Sequence, residues 1–133
     1  MEWLRISTSI EMVRVATDEI VYVRADGNYS DLVLANGKSR RMTFQLNYFE
    51  KAFHKLQNNL FVRVGRSLIV NKRYIYVINL TEQQLILSGG KLKEQVIFDG
   101  QDRFNKSKDI CISRDALKQL KELLDNDKEV DNE

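Results

Sequence analysis

Three short clusters of cations, amides and hydroxyls hold the groups with which this chain could grip another molecule. The first is the turn Asp26 to Asp31, with Asn28, Tyr29 and Ser30 at its tip. The second is Gly65-Arg66-Ser67, inside the strand-like run Phe61 to Asn71. The third is Ser113-Arg114, at the start of a segment with helical periodicity. An arginine fork matches the guanine edge bidentately, and asparagine can match adenine. A helix N-terminus presents free amides and a positive dipole end, which suits a phosphate. A fourth group, Lys38, Arg40 and Arg41, puts three cations in four residues on one predicted strand, a pattern suited to phosphate contacts. Each feature also has a plainer reading. Asp-Gly-Asn commonly marks only a turn, Ser113 only a helix cap, and an arginine in a strand only a solvated side chain.

Catalytic chemistry finds little footing. His54 is the one histidine, on a predicted helix and without cysteine or histidine at metal spacing, so a surface role is expected and a zinc site is not. Cys111 is the one cysteine. It lies in the alternating stretch Asp109-Ile110-Cys111-Ile112, where a buried, inert thiol is expected, and a lone cysteine excludes an internal disulfide. Gly89-Gly90-Lys91 lacks the frame of a phosphate-binding loop, and no Gly-x-Ser-x-Gly occurs. The chain therefore reads as non-enzymatic, with no cofactor, metal or small-molecule substrate. No run approaches the roughly 18 apolar residues of a membrane span, and the N-terminus lacks a signal pattern. A cytoplasmic protein that does not engage membranes is expected.

The 133 residues are 43% hydrophobic and 30% charged, an ordinary globular composition. The net charge of +2 conceals an asymmetry. Residues 125–133 hold five acids and one lysine, which leaves 20 basic and 14 acidic residues, a net of +6, in 1–124. A basic body fits a polyanionic partner, and the acidic tail 125–133 is expected to be disordered. Residues 1–124 are expected to form one domain.

The elements that must position these clusters are mostly short strands. Leu4–Ser7 alternates, Met12–Ala16 reads as a second short strand, and Ile20–Val23 is a continuous β-favouring run. Leu32–Leu34 and the basic stretch 38–42 flank Asn36-Gly37, the preferred two-residue hairpin turn. Thr43 can cap a helix from Phe44 to about Leu56, with Leu46, Phe49, Phe53 and Leu56 along one face. In the run Phe61 to Asn71, glycine inside a strand pattern predicts a bulge or close backbone approach that re-aims Arg66 outward. Residues 75–80 and 84–87 read as further strands, 88–108 as a long excursion around Val96-Ile97-Phe98, and 109–112 as a last strand. Ser113 can cap a final helix through Leu124. The fold class is mainly β: nine to ten short, mostly antiparallel strands in small sheets, with helices near 44–57 and 114–124. Adjacent strands without alternating helices exclude a doubly wound parallel sheet. Composition and spacing alone leave a DNA-binding module and a protein-interaction module equally open. A single-strand-binding barrel would need exposed aromatic platforms, and only Tyr29 offers one.

Taken together, the residues resemble the LytTR DNA-binding domain family. The resemblance rests on Asp18-Glu19-Ile20-Val21-Tyr22-Val23, Ala25-Asp26-Gly27-Asn28-Tyr29, Asn36-Gly37-Lys38, the whole of Phe61 to Asn71, and Ile112-Ser113-Arg114. It runs from about Leu4 to Leu124. It implies small β-sheets and loops that enter successive major grooves of double-stranded DNA, commonly at paired direct-repeat sites, in transcriptional regulation. A homodimer on DNA is compatible with it. The implied contacts map to Asn28, Tyr29 and Ser30, to Arg66 with Ser67, and to Arg114, while Asn71 is read as structural. Gly65 stands where the family often has histidine, and 88–108 is longer than the usual link. Family members commonly carry a receiver domain or membrane segments upstream, so this chain is expected to be a stand-alone regulator or an excised domain.

Overall fold

Among the described residues the alternating and continuous apolar runs become ten strands in three antiparallel sheets. The computed structural model describes residues 2–100 and 112–127. The central sheet has five strands: β3 (Ile20–Asp26), β4 (Tyr29–Leu34), β5 (Ser39–Met42), β6 (Phe61–Val64) and β7 (Leu68–Asn71), in the order β5-β4-β3-β7-β6. One of its faces is covered by the hairpin of β1 (Trp3–Ser7) and β2 (Met12–Ala16) together with helix α1 (Leu46–His54). The other face is covered by the sheet of β8 (Ile75–Asn79), β9 (Gln84–Leu87) and β10 (Val96–Asp99) and by helix α2 (Arg114–Asp125).

This three-layer arrangement explains why Leu68-Ile69-Val70 carries no polar alternation. Ile69 packs towards Phe49 and Leu4, while Leu68 and Val70 pack towards Leu117 and Leu85. A strand covered on both faces reads as continuous apolar sequence. Asn71 closes that strand fully buried. Its amide donates to the carbonyls of Ile20 (2.9 Å) and Thr17 (3.3 Å), and its Oδ1 accepts from Arg73 N (3.0 Å). The amide thus ties the start of β3 to the end of β7, the structural role expected of it.

Several boundaries differ from those expected. α1 begins at Leu46, with Gln45 at its N-cap position and no side-chain cap bond, so Thr43 is not the cap. The Phe44 carbonyl accepts the Ser30 hydroxyl at 2.7 Å, which holds this stretch against β4 before the helix can start. α1 ends at His54, so Leu56 lies beyond it. The β4–β5 hairpin forms around a three-residue loop, Ala35 to Gly37, rather than a two-residue turn. Leu34 N donates to Lys38 O and Gly37 stands at φ +86°. Ala35 is buried and its N–H donates to Glu19 O, which takes this residue out of the strand ladder and into the loop. β4 starts at Tyr29 rather than Leu32, because the Asp-Gly-Asn turn is tight and pairs Asp26 with Tyr29. The apolar island of the 88–108 excursion becomes β10, paired with β9. Ser113 caps α2, accepting from Ala116 N at 3.1 Å. Residues 109–111 of the expected last strand, Cys111 among them, and most of the acidic tail lie outside the described residues, while Ile112 is buried and outside any strand.

Candidate nucleic-acid interface

Strand direction brings the three polar clusters to one end of the central sheet. β3 runs out at Asp26 and returns as β4 at Tyr29 through Gly27, whose φ of +60° suits only a residue without a side-chain clash. β7 lies antiparallel to β3 with Leu68 opposite Arg24, so the loop before β7 meets that same end. In that loop Val64 pairs with Leu68, which leaves Gly65, Arg66 and Ser67 as a three-residue knuckle with Gly65 at φ +65°. It is a hairpin turn rather than a bulge. Ala25 N donates to Ser67 O at 2.9 Å and joins the knuckle to the first turn. A Cβ placed on Gly65 would lie 3.5 Å from Ala116 Cβ, so the first turn of α2, which Arg114 opens, rests on the knuckle.

Within this end, the arginines divide into two kinds. Arg66 and Arg114 are exposed, and neither guanidinium has a side-chain partner among the described residues. Arg41 and Arg63 are braces. Arg41 donates through Nε to Asp31 Oδ1 at 2.9 Å, reaches Asp26 through Nη2, and lies 5.5 Å from the centre of the Tyr29 ring. It therefore clamps the two carboxylates that flank the first turn. Arg63 donates to the carbonyls of Gly65 (3.0 Å) and Arg66 (2.9 Å) and, through Nη1, to Asn47 Oδ1 (2.9 Å). Its planar fork fixes the knuckle from behind. Reading the sequence alone assigned Arg63 no role. The available signal was its place as the polar member of an alternating strand, facing the Asn47/Glu50 side of α1.

The other predicted residues are placed as follows. Asn28 is exposed at the turn tip, and Tyr29 is 43% exposed beside it. Ser30 is fully buried with its hydroxyl given to Phe44, so it supports the turn from inside and offers nothing at the surface. Ser67 is half-buried. Arg40 donates to Glu11 at 2.7 Å, in the loop between β1 and β2. Lys38 precedes β5, beside the Leu34 end of β4. The length of β4, roughly 16 Å at about 3.3 Å per residue, separates it from the converging clusters. His54 is exposed at the last position of α1. Among the described residues no group of three or more His, Cys, Asp or Glu could hold a metal ion, and no helix is long and apolar enough to cross a membrane.

Asp31 sits between two guanidiniums, with Arg24 Nε at 3.1 Å and Arg41 Nε at 2.9 Å. The hydrogen bond from Arg41, with a second from Arg24, holds its carboxyl below the usual carboxylate range against the opposing effect of burial. A carboxylate whose folded pKa is depressed stabilises the fold above its unfolded pKa of about 4, and that contribution disappears as pH falls through the folded value. Asp31→Asn is therefore expected to lower the melting temperature at pH 7 and to narrow the gap to wild type near pH 3. Melting curves across that range check it, and a gap that stays constant with pH would contradict it.

The family comparison decides what this arrangement belongs to. The model of the LytTr DNA-binding domain matches residues 11–125. This chain is a LytTR domain. The match spans all three clusters and both bracing arginines. Comparison with curated proteins returned no match. Among solved structures, the LytTr DNA-binding domain of a Bacillus cereus protein superposes with a TM-score of 0.58 at 20% identity, covering 93% of this chain and 97% of that one. That likeness establishes the shared fold. The family is a DNA-binding one, as the resemblance implied.

Proposed function

We propose that the end of the central sheet carrying Asn28, Tyr29, Arg66, Ser67 and Arg114 docks on double-stranded DNA in a sequence-specific, transcription-regulating complex. The observation that carries this reading is the division among the arginines. The Arg66 and Arg114 side chains have no side-chain partner among the described residues, and they project from turns that Arg63, Arg41 and the Ser113 cap tie down. Turns whose backbone is already held lose little backbone freedom on binding, while the free guanidiniums remain available to base edges. The knuckle and the first turn enter the major groove in this reading, and α2 directs its free N-terminal amides towards a phosphate. Two copies on direct-repeat sites fit a domain that reads with loops. A cytoplasmic location follows from the DNA partner.

Arg40 and Arg41 are engaged by Glu11, Asp26 and Asp31, and Lys38 lies at the opposite end of the sheet. Lys38 is accordingly left out of the interface. Each phosphate contact contributes about −0.9 to the slope of log K against log salt. Lys38→Ala is expected to leave that slope unchanged in gel shifts on an operator selected from random duplexes. A slope reduced by about one would return Lys38 to the interface. Binding of the wild-type chain that stays flat against random duplexes at low salt would favour a protein-interaction module instead.

A further inference from the structure

The two loops proposed above to read DNA are both tied to one short stretch, the start of α1. The first tie is the Ser30 hydroxyl behind the Asp26–Tyr29 turn, which donates to the Phe44 carbonyl at 2.7 Å. The second tie runs through Arg63. Its Nη1 donates to Asn47 Oδ1 at 2.9 Å, while its Nε and Nη2 donate to the Gly65 and Arg66 carbonyls. The stretch from Phe44 to Asn47 is itself fixed. The Phe44 ring stacks on the Tyr48 ring with centroids 4.3 Å apart. Leu46 and Phe49 root the helix in the core that also holds Val23 of β3 and Ile69 of β7.

Ala25 N also joins the two loops directly, by donating to Ser67 O. A bond at one point sets a separation and leaves a tilt open. A second link, made from α1, closes that freedom. The Arg63 guanidinium is a planar, rigid fork, so moving the acceptor on one side turns the donors on the other. Glu50, on the same face of α1 as Asn47, stands 3.6 Å from Nη1 and adds attraction without a hydrogen bond. Asn47 is exposed and takes no part in the core.

We propose that the start of α1 sets the relative tilt of the two DNA-reading loops, with Asn47 as a positioning residue that acts through Arg63 and does not touch DNA. The proposal rests on the contact assignment made above and adds a determinant of base discrimination outside the contact surface.

Asn47→Ala suits the test, because the side chain is exposed and alanine is the better helix former. The ratio of operator to random-duplex affinity is expected to fall about fivefold, within the range for residues that share one hydrogen-bond network. Asn47→Asp, whose carboxylate still accepts from Arg63, is expected to restore that ratio. Aspartate would not restore a direct asparagine-to-base contact, because its carboxylate has no donor to offer. On the Arg66→Ala background, Asn47→Ala is expected to cost little further. In the ¹⁵N-labelled free chain, the Gly65, Arg66 and Ser67 amides are expected to shift in Asn47→Ala and to return towards wild type in Asn47→Asp. An unchanged ratio, a ratio that aspartate fails to restore, or full additivity with Arg66→Ala would overturn the proposal. Operator affinity that survives Arg66→Ala intact would instead overturn the contact assignment. The free-chain amides then decide, and unmoved amides would overturn the positioning role as well.

Discussion

Arg66→Ala is expected to cost roughly 1–3 kcal/mol of operator affinity, the range for one bidentate base contact. At about 1.4 kcal/mol per decade this is on the order of 5- to 150-fold. The same range is expected for Arg114→Ala. The Arg66 side chain has no hydrogen-bond partner among the described residues, so its truncation orphans no described group. The knuckle backbone stays held by Arg63 and by Ala25 N, which donates to Ser67 O. Stability is therefore expected to stay within about 0.5 kcal/mol of wild type, as for surface substitutions generally. The loss would fall on operator DNA and spare random DNA, because base contacts specify while phosphate contacts position. Gel shifts on both substrates at several salt concentrations separate the two. Equal losses on operator and random duplex would remove Arg66 and Arg114 from base reading. Arg63→Ala makes the informative contrast, since it is expected to weaken operator binding by loosening the knuckle.

Asn71→Ala is expected to destabilise the fold by roughly 2–4 kcal/mol without acting on DNA directly. The Asn71 side chain is completely buried and makes three hydrogen bonds to the backbone. Its loss leaves the Ile20 and Thr17 carbonyls and the Arg73 N–H without that partner, at about 1–3 kcal/mol for each buried group that finds no water. The truncation also opens a small void between β3 and β7, and cavities add to the cost. Asn71→Asp tests the donor side alone, because its carboxylate still accepts from Arg73 N but faces two carbonyl oxygens. It is expected to be at least as destabilising as alanine. Urea unfolding measures both, with a reduced midpoint at unchanged slope. A loss below about 0.5 kcal/mol, the scale of ordinary surface changes, would mean that water replaces the amide.

The two variants separate what was legible from what was not. Continuous runs at β3 and β7, alternation at β1, and the Leu117/Leu120 stripe of α2 all announced their elements, because burial on one or two faces leaves a periodic trace. Ser113 announced its cap in the same local way. The start of α1 did not, because the Ser30 hydroxyl, fourteen residues earlier in the chain, holds the Phe44 carbonyl. The hairpin loop gained a residue for a similar reason, through the Ala35 to Glu19 bond. Both are tertiary contacts overriding local turn chemistry.

The residue types at the proposed interface were legible in the sequence by itself: an arginine in a glycine knuckle, an asparagine in a tight turn, and an arginine at a capped helix start. These signals are local, set by backbone conformation over three or four residues. Which arginines are free was decided by tertiary structure alone. Arg41 and Arg66 look alike in sequence, but antiparallel register places Arg41 opposite Asp31 and leaves Arg66 at a loop tip. Register also sent Lys38 to the far end of the sheet and turned Ser30 inward. A side chain's partners depend on which strand lies beside it, and that pairing is set by packing the whole core.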